Sequence, residues 1–200
     1  MHPDLVDAAA SLNAGGLVMV TDETALGGAG RGFFLHAASM ATTETVGTAI
    51  LHGRGITCFS VTPAQAMRLG LTLAGEFRPD RPGPVFLRSV EAAECDGTGI
   101  SAEDRALTLR AAGAPSSGMA SLKSPGHVVP AMVTDRRSTP QGEIADAARV
   151  VLSHLTTHEI PAWTDILDDD GEVASAVWCR DLAEKLAIPH VEVSEILAAA

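Results

Sequence analysis

The chain of 200 residues carries 25 acidic and 14 basic side chains, which gives a formal net charge of −11. This excess of negative charge repels phosphates at long range, so the sequence argues against a nucleic-acid or anionic-membrane partner. Hydrophobic residues make up 46% of the chain, a share that predicts a folded protein rather than a disordered one. Because we find no internal repeat and no break in composition, we expect a single domain over residues 1–200.

The cysteines and the N-terminal segment bear on the cellular compartment. Cys58, Cys95 and Cys179 are widely spaced and form no CxxC motif, which argues against a disulfide framework and a structural zinc site. The N-terminal residues show no basic stretch ahead of an apolar core, and no apolar run approaches about 18 residues. We therefore expect a reduced, cytoplasmic protein with no membrane partner.

Helical and strand patterns are interspersed along the whole chain. The first half predicts a helix over 4–14, strands at 17–20 and 33–35 around a glycine-rich loop at 22–32, a helix over 43–52, a strand over 56–61 and a helix that starts at Thr62-Pro63. The pattern from residue 74 onward predicts a loop at 74–84, a strand over 85–91, a helix from Ser101 to about 112 and a loop at 113–126. It then predicts a strand over 127–133, a helix over 143–156, a strand over 163–167, a turn at 168–171 and a helix over 178–187. Such a mixture predicts an α+β protein, built as a layered α/β sandwich.

Four segments stand out in their order and spacing. They read VMVTD at 18–22, HGRGITC at 52–58, TGISAEDR at 98–105 and SPGHVVP at 124–130. Together they resemble 3,4-dihydroxy-2-butanone 4-phosphate synthase, the riboflavin-pathway enzyme that removes formate from ribulose 5-phosphate. The resemblance spans roughly residues 5–197. It implies the layered fold of that family and a homodimer with its active sites at the two-fold interface.

The chain departs from the family at positions that carry metal and phosphate. The resemblance puts Gly27 where the family has a magnesium-binding glutamate, and Arg31 where it has a further acid. It puts Ile144 at the second metal ligand, a histidine, and Gln141 at a phosphate-binding arginine. A late catalytic glutamate corresponds to Asp165, which is one methylene shorter.

These departures predict a site without magnesium. Magnesium is held by oxygen donors, usually one or two carboxylates, and glycine and isoleucine side chains supply none. No carboxylate stands between Thr24 and Ala41 that could restore the cluster. Glutamine also cannot replace the bidentate phosphate clamp of an arginine. We therefore expect no metal and no cofactor.

The remaining polar positions supply the candidate site residues. His127 and Asp165 are the candidate catalytic residues, because imidazole titrates near neutrality and both correspond to family positions in the site. The candidate substrate-binding residues are His52, Arg54, Cys58, Thr98, Ser101, Arg31 and His36. Each has a purely structural alternative: His127 could be bonded to backbone, Ser101 could only cap its helix, and Cys58 could be a small buried hydrophobe.

Three functions are compatible with these residues. The favoured hypothesis is a repurposed enzyme that carries out metal-independent acid–base catalysis, of lyase, isomerase or cyclase type, on a small non-phosphorylated substrate in specialised metabolism. The first alternative is a non-catalytic paralogue that binds a ligand or partner through the same scaffold. The second is a genuine 3,4-dihydroxy-2-butanone 4-phosphate synthase with unorthodox ligands.

Overall fold

The computed structural model describes residues 3–25, 28–76, 85–133 and 144–199, in which helices and strands are interspersed. The helices are α1 Pro3–Asn13, α2 Thr43–Gly53, α3 Pro63–Arg68, α4 Ala102–Gly113, α5 Ile144–Leu155, α6 Ala176–Leu186 and α7 Val193–Ala199. The strands are β1 Val18–Asp22, β2 Arg31–Ala37, β3 Arg54–Val61, β4 Val85–Phe86, β5 Val90–Ala92, β6 Leu122–Met132, β7 Pro161–Ile166 and β8 His190–Glu192. None of the helices in these ranges combines the length and the apolar character that a membrane span requires.

The strands form one mixed sheet in the order β4-β6-β3-β7-β2-β1-β8, and β5 pairs with β6 beside this path. The pairs β3/β6 and β1/β8 are parallel, and the other pairs are antiparallel. Most neighbours in the sheet are distant in sequence: β7 lies between β2 and β3, at least 100 residues after either. The sheet therefore brings residues from several separate sequence segments to one edge.

Helices cover both faces of the sheet. On one face, Leu12 of α1, Leu152 of α5 and Ile196 of α7 pack in one core cluster with Phe33 and Trp163 of the sheet. On the other face, α2 and α4 pack against β3 and β6, and α6 packs against β1 and β2. This packing removes the apolar surface of each face from water. Such burial stabilises the fold by roughly 25 cal/mol per Å² buried.

The predicted fold class is confirmed as a layered α+β architecture. Helix starts are where the sequence places them: Thr62 caps α3 in a capping box with Pro63 at its first position, and Ser101 caps α4. The predicted loop at 113–126 is wrong at its end, because β6 begins at Leu122. The predicted strand over 85–91 is two short strands, β4 and β5, which pair with different parts of β6.

Candidate functional site

Polar side chains from three strands lie in one row at an edge of the sheet. Arg31 is two residues before Phe33, Asp165 two residues after Trp163, and His127 two residues before Val129. Phe33 and Trp163 belong to the core cluster under α5, and Val129 packs against it. Because side chains alternate along a strand, all three polar side chains belong to that same face of the sheet. The fold thus assembles a polar edge next to the N-terminus of α5.

Arg31 and Asp165 form an ion pair across neighbouring strands. The Arg31 Nη2 atom donates a hydrogen bond to Asp165 Oδ1, and the two side chains are only 20% and 24% exposed. Burial raises the pKa of Asp165 above its ordinary value, although the positive charge of Arg31 acts in the opposite direction. The Arg31 Nε atom is buried and has no hydrogen-bond partner within the described ranges. The two charges thus compensate each other between β2 and β7.

Strand β3 contains a β-bulge beside Asp165. Arg54 pairs with Ile166 and Thr57 with Thr164, so two residues of β3, Gly55 and Ile56, lie opposite Asp165 alone. Ile56 is 61% exposed, which is unusual for an isoleucine within a central strand. Sequence reasoning missed Ile56 because the bulge depends on a strand pairing that no local pattern reveals.

Arg54 uses its guanidinium to hold the turn that follows β7. It adopts the left-handed conformation with φ of 64° and donates hydrogen bonds to the Asp168 carbonyl at 2.8 Å and to Asp169 Oδ1 at 3.0 Å. The predicted turn at 168–171 is present, with Asp168 Oδ1 accepting from the backbone of Asp170 and Glu172. In this structure Arg54 contacts that turn rather than the Arg31–Asp165 pair.

His127 is exposed and lies within β6, not at a loop–strand junction as the sequence predicts. The parallel pairing of β3 and β6 matches Cys58 with Val129, and β3 in turn neighbours β7. His127 and Asp165 are therefore two strands apart, a separation of about 10 Å. Strand β3, with Ile56 opposite Asp165, lies between the two residues.

The start of α4 approaches the same edge. Arg105 Nη1 donates to Thr57 Oγ1 at 3.1 Å and Arg105 Nε to the Ile100 carbonyl at 3.0 Å, which anchors α4 to β3. Ser101 Oγ accepts from the Asp104 amide at 3.0 Å, so Ser101 serves as a helix cap. Thr98 is exposed just before this turn.

Three of the predicted substrate-binding residues are away from this row. His36 and Cys58 are each 1% exposed, and burial raises the pKa of the Cys58 thiol, which opposes its ionisation. Burial also lowers the pKa of His36 to about 4. His52 lines a separate groove of 590 Å³ with Thr48, Glu44 and residues of the α1–β1 turn.

The side chains near Asp165 do not fit a magnesium ion. Ile144, at one family ligand position, is 5% exposed in the apolar cluster under the sheet. Arg31, where the family has an acid, brings a positive charge onto Asp165. Across the described ranges, no three His, Cys, Asp or Glu side chains are grouped as a metal site requires. Gly27 and Gln141, the other two departures, lie outside the described residues.

Comparison with known proteins decides the family. A family model described as 3,4-dihydroxy-2-butanone 4-phosphate synthase matches residues 6–199. The chain belongs to the 3,4-dihydroxy-2-butanone 4-phosphate synthase family. The synthase of Edwardsiella ictaluri (strain 93-146) is 31% identical over 96% of this chain and 86% of its own length. The synthase of Escherichia coli O1:K1 / APEC is 30% identical over 96% of this chain and 88% of its own length.

Solved synthase structures have the same fold. The synthase of Candida albicans superposes with a TM-score of 0.80 at 23% identity, covering 96% of this chain and 94% of that chain. A two-domain synthase from A. baumannii gives a TM-score of 0.81 at 24% identity, covering 96% of this chain and 56% of that chain. A further synthase structure, in complex with two magnesium ions, gives a TM-score of 0.80.

These whole-chain matches correct the favoured functional hypothesis. The sequence departures led us to expect a repurposed enzyme with a non-phosphorylated substrate. The relatives that match almost the entire chain are 3,4-dihydroxy-2-butanone 4-phosphate synthases, which contradicts that hypothesis and supports the second alternative, a genuine synthase. The departures alone misled because they concern a few ligand positions, whereas the similarity extends over the whole fold.

Proposed function

We propose that this chain is a 3,4-dihydroxy-2-butanone 4-phosphate synthase that uses unorthodox site residues. Its substrate is then ribulose 5-phosphate, and its products are 3,4-dihydroxy-2-butanone 4-phosphate and formate. The observation that carries the proposal is the row of His127, Asp165 and Arg31 at one sheet edge, in a chain matched almost end to end by that family.

Asp165 and His127 have the properties of an acid–base pair. Asp165 is largely buried with a raised pKa, which makes its carboxylate a stronger base than a solvated aspartate. His127 is exposed at the same edge, and imidazole both gives and takes protons near neutral pH. Their separation of about 10 Å suits proton transfers at two different atoms of one substrate.

The proposal includes catalysis without a divalent metal. A magnesium ion at such a site would supply Lewis-acid chemistry, which stabilises negative charge on a substrate oxygen. In this chain Ile144 offers no donor atom and Arg31 already neutralises Asp165. We therefore expect formate release to continue after metal ions are removed.

We also propose a homodimer, as the family resemblance implies, in the cytoplasm. Ile56 and Ile100 are 61% and 55% exposed near the polar edge, and a second subunit would cover such apolar side chains. Light scattering of the purified chain at micromolar concentration tests this. A strict monomer would contradict both the dimer and a site shared between subunits.

The decisive experiment is a formate-release assay on ribulose 5-phosphate with the purified full chain. We expect release by the untreated protein and by protein treated with EDTA, and strong loss in Asp165→Asn. Absence of release under all conditions, including added magnesium or manganese, would overturn the proposal. Calorimetric binding of ribulose 5-phosphate without turnover would instead favour the non-catalytic paralogue.

A further inference from the structure

Arg31 places a positive charge against Asp165, at a position where the family resemblance implies an acid. We infer that the Arg31 guanidinium is the electrophile of this site, binding the substrate oxygen on which negative charge develops. This inference rests on the proposed function and specifies which group does the work expected of a metal cation. It concerns Arg31 itself rather than the acid–base residues.

The contacts of Arg31 leave donors available to a ligand. A guanidinium carries five N–H donors and stays protonated at any working pH. In Arg31, Nη2 is bonded to Asp165 Oδ1, whereas Nε is buried without a partner among the residues that the structure describes. The Arg31 side chain is 20% exposed, so part of the guanidinium is open to an oxygen atom of the substrate.

The position of Arg31 is set by backbone pairing rather than by a flexible loop. Phe33 pairs with Asp165, and Asp22 pairs with Arg31, so β2 is fixed between β7 and β1 at this point. Asp22 is itself held, because its Oδ1 atom accepts hydrogen bonds from the amide and hydroxyl of Thr24. Donors fixed in advance stabilise a developing charge more than donors that must reorganise.

The charge balance of the step fits an Arg–Asp pair. The Asp165 carboxylate takes a proton from the substrate carbon beside the ketone. The electron pair of that C–H bond forms a C=C bond, and the carbonyl π pair moves onto oxygen. One negative charge thereby moves from Asp165 to the substrate oxygen, within reach of the same guanidinium. Arg31 keeps its proton and compensates the charge before and after the transfer.

The test separates proton removal from formate loss. Exchange of the substrate C–H hydrogen for deuterium in D₂O, followed by NMR, reports the first step, and formate release reports the whole reaction. We would measure both in EDTA-treated wild type, Arg31→Gln, Arg31→Lys and the control Arg180→Gln. Arg180 also pairs with carboxylates, Glu23 and Glu192, but at the β1–β8 side of the sheet.

We expect Arg31→Gln to slow exchange and formate release together by roughly 10²–10³-fold, with no recovery on adding magnesium or manganese. Arg31→Lys should recover part of the loss, because it restores the charge but not the planar fork. Arg180→Gln should stay within about twofold of wild type. Two results would overturn the role of Arg31 alone. One is an exchange rate in Arg31→Gln equal to that of the wild type. The other is an activity of the wild type that EDTA abolishes and magnesium restores. Wild type with neither exchange nor formate release under any condition would overturn the proposed function and this role with it.

Discussion

Gly55 lies directly against the backbone of Asp165. A β-carbon at position 55 would come within 2.5 Å of the Asp165 carbonyl oxygen and 2.8 Å of the Asp165 Cβ atom. The bulge in β3 creates this contact, because Gly55 and Ile56 together face Asp165. The strand that carries the candidate base is therefore what approaches Gly55.

Replacing Gly55 by alanine should therefore displace Asp165. We expect Gly55→Ala to lower the free energy of unfolding by about 1–3 kcal/mol, as overpacking does, and to reduce formate release. Gly75→Ala is the matched control, because a β-carbon at Gly75 would meet nothing within 4 Å. Urea unfolding and the formate assay on both variants check this. Equal stability and activity in the two variants would contradict the close packing.

The pH dependence of kcat/KM should report the Asp165 carboxylate. A general base works only when it is ionised, so activity should fall as pH falls through its pKa, which burial raises above the usual aspartate value. Loss of the Arg31 charge raises that pKa further, because Arg31 is the group that opposes the effect of burial. In Arg31→Gln the acid limb of the profile should move to higher pH. A limb that stays in place or moves to lower pH would exclude Asp165 as the base.

Much of the fold could be predicted from local sequence signals. Thr62-Pro63 and Ser101 mark helix starts because capping chemistry is local: the side chain of each cap accepts from a backbone amide three residues on. The periodicity of residues 143–156 likewise predicts α5, whose apolar face packs under the sheet. The start of β6 at Leu122 could not be predicted, since its Gly/Ser/Pro-rich beginning is extended only through pairing with β5.

The site was less predictable, because its contacts join distant segments. The Arg31–Asp165 pair spans 134 residues, and sequence named both without linking them. His36 and Cys58 were chosen for their chemistry, yet each lies on a strand that helices cover on both faces, so both are buried. Alternation along a strand indicates sidedness, but only the sheet order shows that neither side of these strands is open.

His36 should make stability depend on pH. Burial lowers its pKa from an ordinary value of 6.5 to about 4, so the unfolded chain binds a proton in this range that the folded chain does not. The free energy of unfolding should therefore decrease as pH falls from 6.5 to 4, by about 3 kcal/mol for this group. The titration of Asp165 acts in the opposite direction, because its folded pKa is raised.

A variant isolates the contribution of His36. His36→Leu should flatten the pH dependence of urea unfolding between pH 4 and 6.5, while His190, whose pKa burial also lowers, continues to contribute. The same slope in wild type and His36→Leu would show that His36 is protonated in the folded protein.

The last prediction concerns His127, which is the exposed member of the polar row. His127→Gln keeps hydrogen bonding and approximate size but cannot transfer a proton. If His127 acts as a general acid or base, formate release from ribulose 5-phosphate should fall by roughly 10²–10⁴-fold. Because the side chain is exposed in the middle of β6, the circular dichroism spectrum and the free energy of unfolding should stay close to those of wild type.

His154→Gln is the control, because His154 lies at the far end of α5 from Ile144 and the sheet edge. Near-wild-type activity in His127→Gln would remove His127 from the mechanism. An unfolded His127→Gln protein would instead identify His127 as a structural residue that holds the Pro125-Gly126 segment against β5.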